Sequence, residues 1–339
     1  MTDDTAKRAL ITGITGQDGS YLAQFLLDQG YRVFGTYRKS AVPNFWRLQY
    51  LNILEKVTLI CADLTDFPAL IKAIHSCQPQ EIYHLAALSP SGTAFEHAVD
   101  AGEITGLGVT RLLEAILRTD HGIKFYQASS IELYGEGRSE PLTESTPFNP
   151  VNPYAVAKLY GYWITRIYRQ KHGIFTCCGI LFNHESPLRG LNFVTRKISN
   201  AVARISLGLQ DKLVLGNLDA IRDWGYAPEY VRSMWLMLQQ DKPDDYIIAT
   251  NQTHTVREFV EKSFDAIGLD WKKYVKTDEK LMRPTDFNFL QGDNSKARDN
   301  LGWRPEVTLN QLTEIMVKED LSRWQRHERG ESFPWDIQP

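Results

Sequence analysis

At 339 residues, with 43% hydrophobic and 23% charged side chains, the chain has the makeup of a globular protein holding one large domain, or a main domain bearing a smaller one. A formal charge of −3 and the lack of a long basic run give no footing for nucleic acid. No apolar run reaches ~18 residues, and MTDDTAKRALITG has none of the apolar stretch of a signal peptide, so a cytoplasmic protein is expected.

RALITG opens the chain as a strand and passes straight into Gly13-Ile14-Thr15-Gly16-Gln17-Asp18-Gly19, after which apolar residues recur at helical spacing over 20–29. Glycines so spaced between a strand and a helix let the backbone approach a pyrophosphate seated on the helix N-terminus. Gly13, Gly16, Gln17, Asp18 and Gly19 are therefore expected to bind a dinucleotide. YRVFGTY is the second strand. A site for NAD usually carries an acid at its end, about 20 residues past the glycines, to bond the ribose 2′-hydroxyl. Arg38 and Lys39 stand there instead, which favours a 2′-phosphate and hence NADP. KVTLICA is the third strand. Asp63 behind it has two readings, a contact to the adenine edge or the N-cap of a helix over 67–77.

EIYHLAA is the fourth strand, a helix covers 103–118, and IKFYQAS is the fifth strand. It ends in Ser129 and Ser130, at the edge where a substrate oxygen would lie. Tyr154-Ala155-Val156-Ala157-Lys158 falls on a predicted helix, where a spacing of four brings phenol and ammonium to one face. The ammonium is expected to lower the phenol's pKa, so that Tyr154 can take a hydroxyl proton, while Lys158 also holds the nicotinamide ribose. FTCCGILF is the sixth strand. Its Cys177 and Cys178 point to opposite faces and, like Cys61 and Cys77, are expected as free thiols. No metal site is expected, since HESPL lacks the second histidine of a zinc-protease motif.

Beyond about residue 183 the pattern loosens to a helix over 193–209, a strand DYIIAT at 245–250, and helices over 255–268 and 309–327. Arg-Pro pairs at 283–284 and 304–305 break the regularity. The alternation predicts an α/β fold: a Rossmann-like, doubly wound parallel sheet over 1–182 that includes the YxxxK helix. A smaller C-terminal substrate-binding lobe over 183–339 completes it, with about 215–255 returning to the sheet. Glycine loop, strand-end serine and YxxxK, in this order, point to a dinucleotide-dependent redox enzyme.

The stretches ALITGITGQDGSYLA, FYQASSIELYG, PYAVAKLYGYWIT, GILFNHESPLRGLNFVTRKI and LGNLDAIRDWG resemble the extended short-chain dehydrogenase/reductases, the NAD-dependent epimerase/dehydratase family. Within that family they are most similar to the GDP-mannose 4,6-dehydratases, and the resemblance covers nearly the whole chain. It implies that Tyr154 takes the proton of the sugar C4 hydroxyl while NADP takes the C4 hydride, with Ser130 bonding the oxygen. Glu132 then removes the C5 proton, water leaves C6, and the hydride returns to C6, giving GDP-4-keto-6-deoxymannose. The resemblance also implies cofactor contacts at Leu64, Leu85 and Ala87. Substrate contacts are implied at Ser89, Asn183, Glu185, Lys197, Leu215, Gly216, Arg222 and Arg283, the basic groups meeting the pyrophosphate or nucleotide.

Leu88-Ser89-Pro90-Ser91-Gly92 and Ser130-Ile131 depart from the family's usual residues, and RKSAVPNFWR is a thinner basic loop; a homodimer or homotetramer is expected. Other readings are an enzyme for another GDP-hexose or GDP-heptose, a sugar-nucleotide 4-keto reductase or epimerase, and a non-catalytic NADP-binding regulator. Glu132 argues against a reductase, which needs no C5 base. Tyr154, Lys158, Ser130 and Glu132 together argue against the regulator.

Overall fold

Ala9, Leu10 and Ile11 of β1 (Arg8–Thr12) are buried whichever way they point, the mark of a central strand in a parallel sheet covered on both faces. The computed structural model, which describes residues 5–41, 44–88, 95–135, 140–282 and 291–331, builds that sheet in the expected manner. After β1 come α1 (Gln17–Asp28), β2 (Arg32–Tyr37), α2 (Trp46–Tyr50), β3 (Thr58–Cys61), α3 (Phe67–Cys77) and β4 (Glu81–His84). A short α4 (Ala98–Asp100) runs through a π-helical stretch, Ala101–Gly106, into α5 (Leu107–Thr119), followed by β5 (Lys124–Ser130), α6 (Pro153–His172) and β6 (Thr176–Leu181). The first four residues of the helix predicted over 103–118 are thus π-helical, a wider winding often found near functional sites.

The remaining elements are β7 (Asn183–Glu185), α7 (Val194–Ser206), β8 (Leu213–Leu215), β9 (Ile221–Arg222), β10 (Trp224–Tyr226), α8 (Ala227–Leu238), β11 (Tyr246–Ile248), β12 (His254–Thr255), α9 (Val256–Asp265), β13 (Val275–Thr277), α10 (Ser295–Leu301) and α11 (Leu309–Glu328). Strand order is β11-β6-β5-β4-β1-β2-β3, all pairs parallel. The order reverses at β1 and β4, and there the crevice for a ligand opens. Of the segment expected to return to the sheet, about 215–255, β11 does so and α8 packs beside α1; β8, β9, β10 and β12 instead form two-stranded sheets outside it.

Two apolar layers sandwich the sheet. One is built on Leu22 and Leu26 of α1 with Met234 and Met237 of α8, the other on Ile74 of α3, Leu113 and Ile116 of α5 and Tyr168 of α6. A third core joins α7, α9 and α11 around Trp224, Phe259 and Met316, and this is the smaller lobe. Local chemistry sets the helix ends. Asn152 caps α6 with Pro153 behind it, and Gly173 closes it in the left-handed region at φ 68°. Thr255 with Glu258, and Thr308 with Gln311, form capping boxes on α9 and α11. Asp66 caps α3 by accepting the Ala69 amide. The capping role weighed for Asp63 therefore belongs to its neighbour three residues on.

Candidate active site

Because every strand of the sheet runs the same way, the residues that follow β1 to β6 gather at one edge. The glycine loop follows β1 there, Arg38 and Lys39 follow β2, Asp63 and Leu64 follow β3, Leu85 and Ala87 follow β4, Ser130 and Glu132 end β5, and Asn183 follows β6.

The loop needs its glycines. Gly13 has φ +74°, and a Cβ on Gly19 would stand 2.3 Å from the Gly13 carbonyl oxygen. Gly16 is the N-cap of α1 and brings no side-chain cap, so the first-turn amides are left for an anion. Those features fit a dinucleotide pyrophosphate. The side chains of Gln17 and Asp18 bind β7 and the loop after it. Gln17 Nε2 donates to the His184 carbonyl at 3.2 Å, and Ser186 Oγ donates to Gln17 Oε1 at 2.7 Å. Asp18 Oδ2 meets His184 Nε2 at 2.9 Å, and His184 Nδ1 lies 2.7 Å from the Phe182 carbonyl. Burial alone would raise the Asp18 carboxyl and lower His184, but each partner's charge and hydrogen bond outweigh it. Asp18 falls to about 2 and His184 rises above its ordinary value.

Arg38 and Lys39 lie exposed at the end of β2, and Arg38 is near enough to help hold the Asp63 carboxyl below its usual range. Asp63 itself accepts the Thr65 amide and hydroxyl at 2.9 and 2.7 Å. Leu64 is buried against Gly108. Beyond β4, the Leu85 amide donates to Thr12 O at 3.2 Å and the Leu88 amide to Thr105 Oγ1 at 3.0 Å, leaving Ala87 half-buried between them. Ser89 lies outside the described residues.

At the end of β5, Ser130 Oγ accepts the Glu132 amide at 3.2 Å and caps a 3-10 turn, Ile131–Tyr134. Glu132 Oε2 accepts from Asn152 Nδ2 at 2.8 Å. Lys158 is buried and donates to the Ala128 carbonyl at 2.7 Å, its Nζ standing 5.8 Å from the centre of the Tyr154 ring. Tyr154 differs from the sequence expectation of a lowered phenol. Burial holds it above its usual range and the Glu132 charge adds to this, while a hydrogen bond with Ser130 and the charge of Arg189 work the other way. Burial brings Lys158 down to about 8, with Asp18 opposing. His84, buried beside Thr12 and near Lys158, is driven down to about 3 and stays neutral.

Asn183 is half-buried at the start of β7. Glu185 is buried and already engaged by the Thr195 hydroxyl and, at 3.2 Å, by Arg189 Nε. On the smaller lobe Lys197 Nζ reaches the Val214 carbonyl at 2.8 Å, beside buried Leu215. A Cβ on Gly216 would stand 2.5 Å from the Leu281 carbonyl, so this strand end and the chain before residue 283 lie in contact. Arg222 is half-buried on β9. Arg283 lies outside the described residues.

Two residues of this edge were missed by sequence reasoning, His184 and Arg189. Both stand in NHESPLRG; His184 pairs with Asp18, remote in sequence, whereas Arg189 meets Glu185 and Phe193, each four residues away. Three arginines fix the loop between them. Arg196 donates to the Pro187 and Arg189 carbonyls at 2.8 and 2.9 Å, Arg323 to the Pro187 carbonyl at 2.7 Å, and Arg47 to the Leu188 carbonyl at 2.8 Å. Asp320, buried between Arg196 and Arg323, and Glu319, 3.3 Å from Arg323 Nε, together balance their charge. The Arg189 guanidinium in turn lies 3.6 Å from the centre of the Phe193 ring. Among the described residues no cluster of His, Cys, Asp or Glu suits a metal ion, and all four cysteines are free thiols.

The parallel sheet with its glycine loop at the reversal of strand order, together with the YxxxK helix against β5, defines the extended short-chain dehydrogenase/reductase class. The dTDP-glucose 4,6-dehydratase from Streptomyces venezuelae shares the fold at a TM-score of 0.82 with 24% identity, over 95% of this chain and 98% of that one. Residues 10–316 match the family model described as GDP-mannose 4,6 dehydratase. GDP-mannose 4,6 dehydratase 2 of Arabidopsis thaliana is 50% identical over 93% of this chain and 87% of its own length. The human GDP-mannose 4,6 dehydratase is 48% identical over 92% and 91%. The chain belongs to the GDP-mannose 4,6-dehydratase family.

Proposed function

We propose that this protein converts GDP-mannose to GDP-4-keto-6-deoxymannose, a sugar-nucleotide lyase reaction, with NADP held in the glycine loop. Family and relatives favour this over another GDP-sugar, a 4-keto reductase or an epimerase. The observation that carries it is the gathering of Ser130, Glu132 and Tyr154 at the end of β5, with the Glu132 charge felt by the Tyr154 phenol. An enzyme that merely exchanged hydride at C4 would have no use for that carboxylate.

NADP, when bound in the glycine loop, would supply the hydride acceptor and donor, so the reaction carries no net oxidation. Tyr154 takes the proton of the C4 hydroxyl while Ser130 holds the oxygen, and Arg189 and Ser130 are the groups that ease the phenol toward its anion. Lys158, an ammonium through neutral pH up to about 8, holds the nicotinamide ribose. The new ketone acidifies C5. Glu132 removes that proton and passes it to the departing C6 hydroxyl, which leaves as water; when C6 receives the hydride, C5 takes up one proton, and release of the one Tyr154 took from the C4 hydroxyl closes the balance. Arg38 and Lys39 select the 2′-phosphate, with Asp63, Leu64, Leu85 and Ala87 lining the adenosine side. Asn183, Lys197, Leu215, Gly216 and Arg222 receive the sugar nucleotide. Glu185 acts by holding Arg189 at the site.

The assembly we infer is a homodimer, or a tetramer built from it. Val156, Tyr160, Trp163 and Ile167 are exposed along one face of α6, spaced by four, three and four residues. Val156 and Tyr160, with Phe95, Val99 and Leu107, line a cavity of about 690 Å³. A second copy of the same stripe is the partner this face fits. No helix among the described residues is long and apolar enough to cross a membrane, and the free thiols agree with a cytoplasmic setting.

The test is incubation of the purified protein with GDP-mannose and, separately, other GDP- and UDP-sugars without added reductant. Appearance of the 4-keto-6-deoxy sugar from GDP-mannose is expected. Conversion of a different sugar nucleotide with GDP-mannose untouched would overturn the substrate assignment.

A further inference from the structure

Asn152 uses both ends of one amide. Its Oδ1 accepts the Ala155 amide at 2.8 Å and so caps the helix that carries Tyr154 and Lys158. Its Nδ2 donates at 2.8 Å to Glu132 Oε2, across 20 residues. The two ends of a carboxamide stand at a fixed angle, so the Glu132 carboxylate is located with respect to the frame of α6. The backbone around this link is already fixed. The Asn149 amide donates to Leu133 O at 2.9 Å, a Cβ on Gly135 would stand 1.8 Å from the Asn149 carbonyl, and the Tyr134 and Phe148 rings meet at 5.1 Å. What those contacts leave undetermined is the side chain of Glu132. Among the described residues, Asn152 supplies its hydrogen bond.

We propose that Asn152 is a positioning residue for the dehydration half of the reaction, holding Glu132 so that its Oε1 takes the C5 proton. This rests on Glu132 being the C5 base. An amide N–H can donate but cannot receive a proton, so Oε2 remains an acceptor in both protonation states and the proton goes to Oε1. The C5–H bond breaks, its electron pair moves into conjugation with the C4 ketone, and that pair then expels the C6 hydroxyl. The proton on Oε1 leaves with it as water.

Three variants separate positioning from folding. Asn152→Ser keeps a helix cap and removes the donor; Asn152→Asp keeps the cap and sets a like charge against Glu132; Asn152→Ala removes both functions. The measurements are the absorbance of reduced nicotinamide in a single turnover with GDP-mannose, and incorporation of solvent deuterium at C5 of the recovered sugar. For Asn152→Ser, C4 oxidation stays within about twofold, while C5 exchange and water loss slow by about tenfold or more. Reduced cofactor therefore builds up. For Asn152→Asp the slowing is greater and its pH profile moves upward. Parent-like rates in both half-reactions for Asn152→Ser, or equal slowing of both, would overturn the proposal. Glu132→Gln isolates the underlying reading. If that variant turns over fully, the base assignment fails whatever Asn152 does. If it stalls while Asn152→Ser dehydrates normally, the positioning role alone fails.

Discussion

The Asp18 carboxylate and the His184 imidazole meet at 2.9 Å, although 166 residues separate them. One belongs to the first turn after the glycine loop and the other to the strand that begins with Asn183, so the pair ties the expected cofactor side of the crevice to the substrate side. His184 is further fixed by stacking on Tyr230, ring centres 4.7 Å apart.

That pair gives stability a definite dependence on pH. Asp18 is held at about 2, below its ordinary 3.8, so its contribution is complete above 3.8 and is lost as pH falls through 2. His184 is raised above 6.5, so its contribution is complete below 6.5 and is lost as pH climbs through the raised value. Replacing His184 by Gln should therefore cost most between 3.8 and 6.5, about 1–3 kcal/mol given that Asp18 is partly exposed. Thermal melting from pH 4 to 9 checks this. A deficit that does not shrink toward pH 9 would contradict it.

Arg38 is the residue expected to set cofactor choice. Replacing it by Ala should weaken NADP by about 10- to 100-fold, the worth of one charge-assisted bond, and leave NAD nearly unchanged. Titration of each cofactor by quenching of tryptophan fluorescence measures both. Equal loss for the two would remove Arg38 from recognition of the 2′-phosphate.

Gly19 tolerates no side chain. An alanine Cβ would lie 2.3 Å from the Gly13 oxygen and 2.7 Å from the Ile14 Cα, both backbone atoms. Gly19→Ala should lower stability by about 1–3 kcal/mol and abolish cofactor retention through gel filtration. A variant that melts normally and keeps its cofactor would show that the loop can open at no cost.

The stripe on α6 predicts how the protein assembles. Trp163→Glu with Ile167→Glu should leave the melting temperature of a dilute sample nearly unchanged while halving the mass seen by sedimentation. If the parent sediments as a monomer, or the double variant at the parent's mass, the partner for this face is not a second copy.

Much of the molecule could be read from local pattern. Each strand of the sheet is a short β-branched or apolar run. The glycine loop and the YxxxK helix lie within continuous stretches, and their chemistry depends on spacing alone. What escaped depends on distance or on missing signals. Helix α8 was not foreseen, and it starts directly from β10 with no side-chain cap at Tyr226 to announce it. Gly16 also caps without a side chain, so α1 begins at Gln17, ahead of the 20–29 window. The Tyr154 phenol was expected to be lowered by a neighbour four residues away, yet burial, which no spacing encodes, moves it the other way. The side-chain partners of Gln17 and Asp18, Ser186 and His184, stand far along the chain, just after β7 and within it.

The cage of arginines around Pro187, Leu188 and Arg189 bears on the order in which the protein can mature. Its donors come from α2, α7 and α11, and Arg323 lies 136 residues beyond the carbonyl it binds. The sheet up to β6 can pair from contacts made within the first 181 residues. The loop that aims Arg189 has to wait for α11 to dock. In a growing polypeptide β1 to β6 would thus be complete well before Arg323 could close the cage on Pro187.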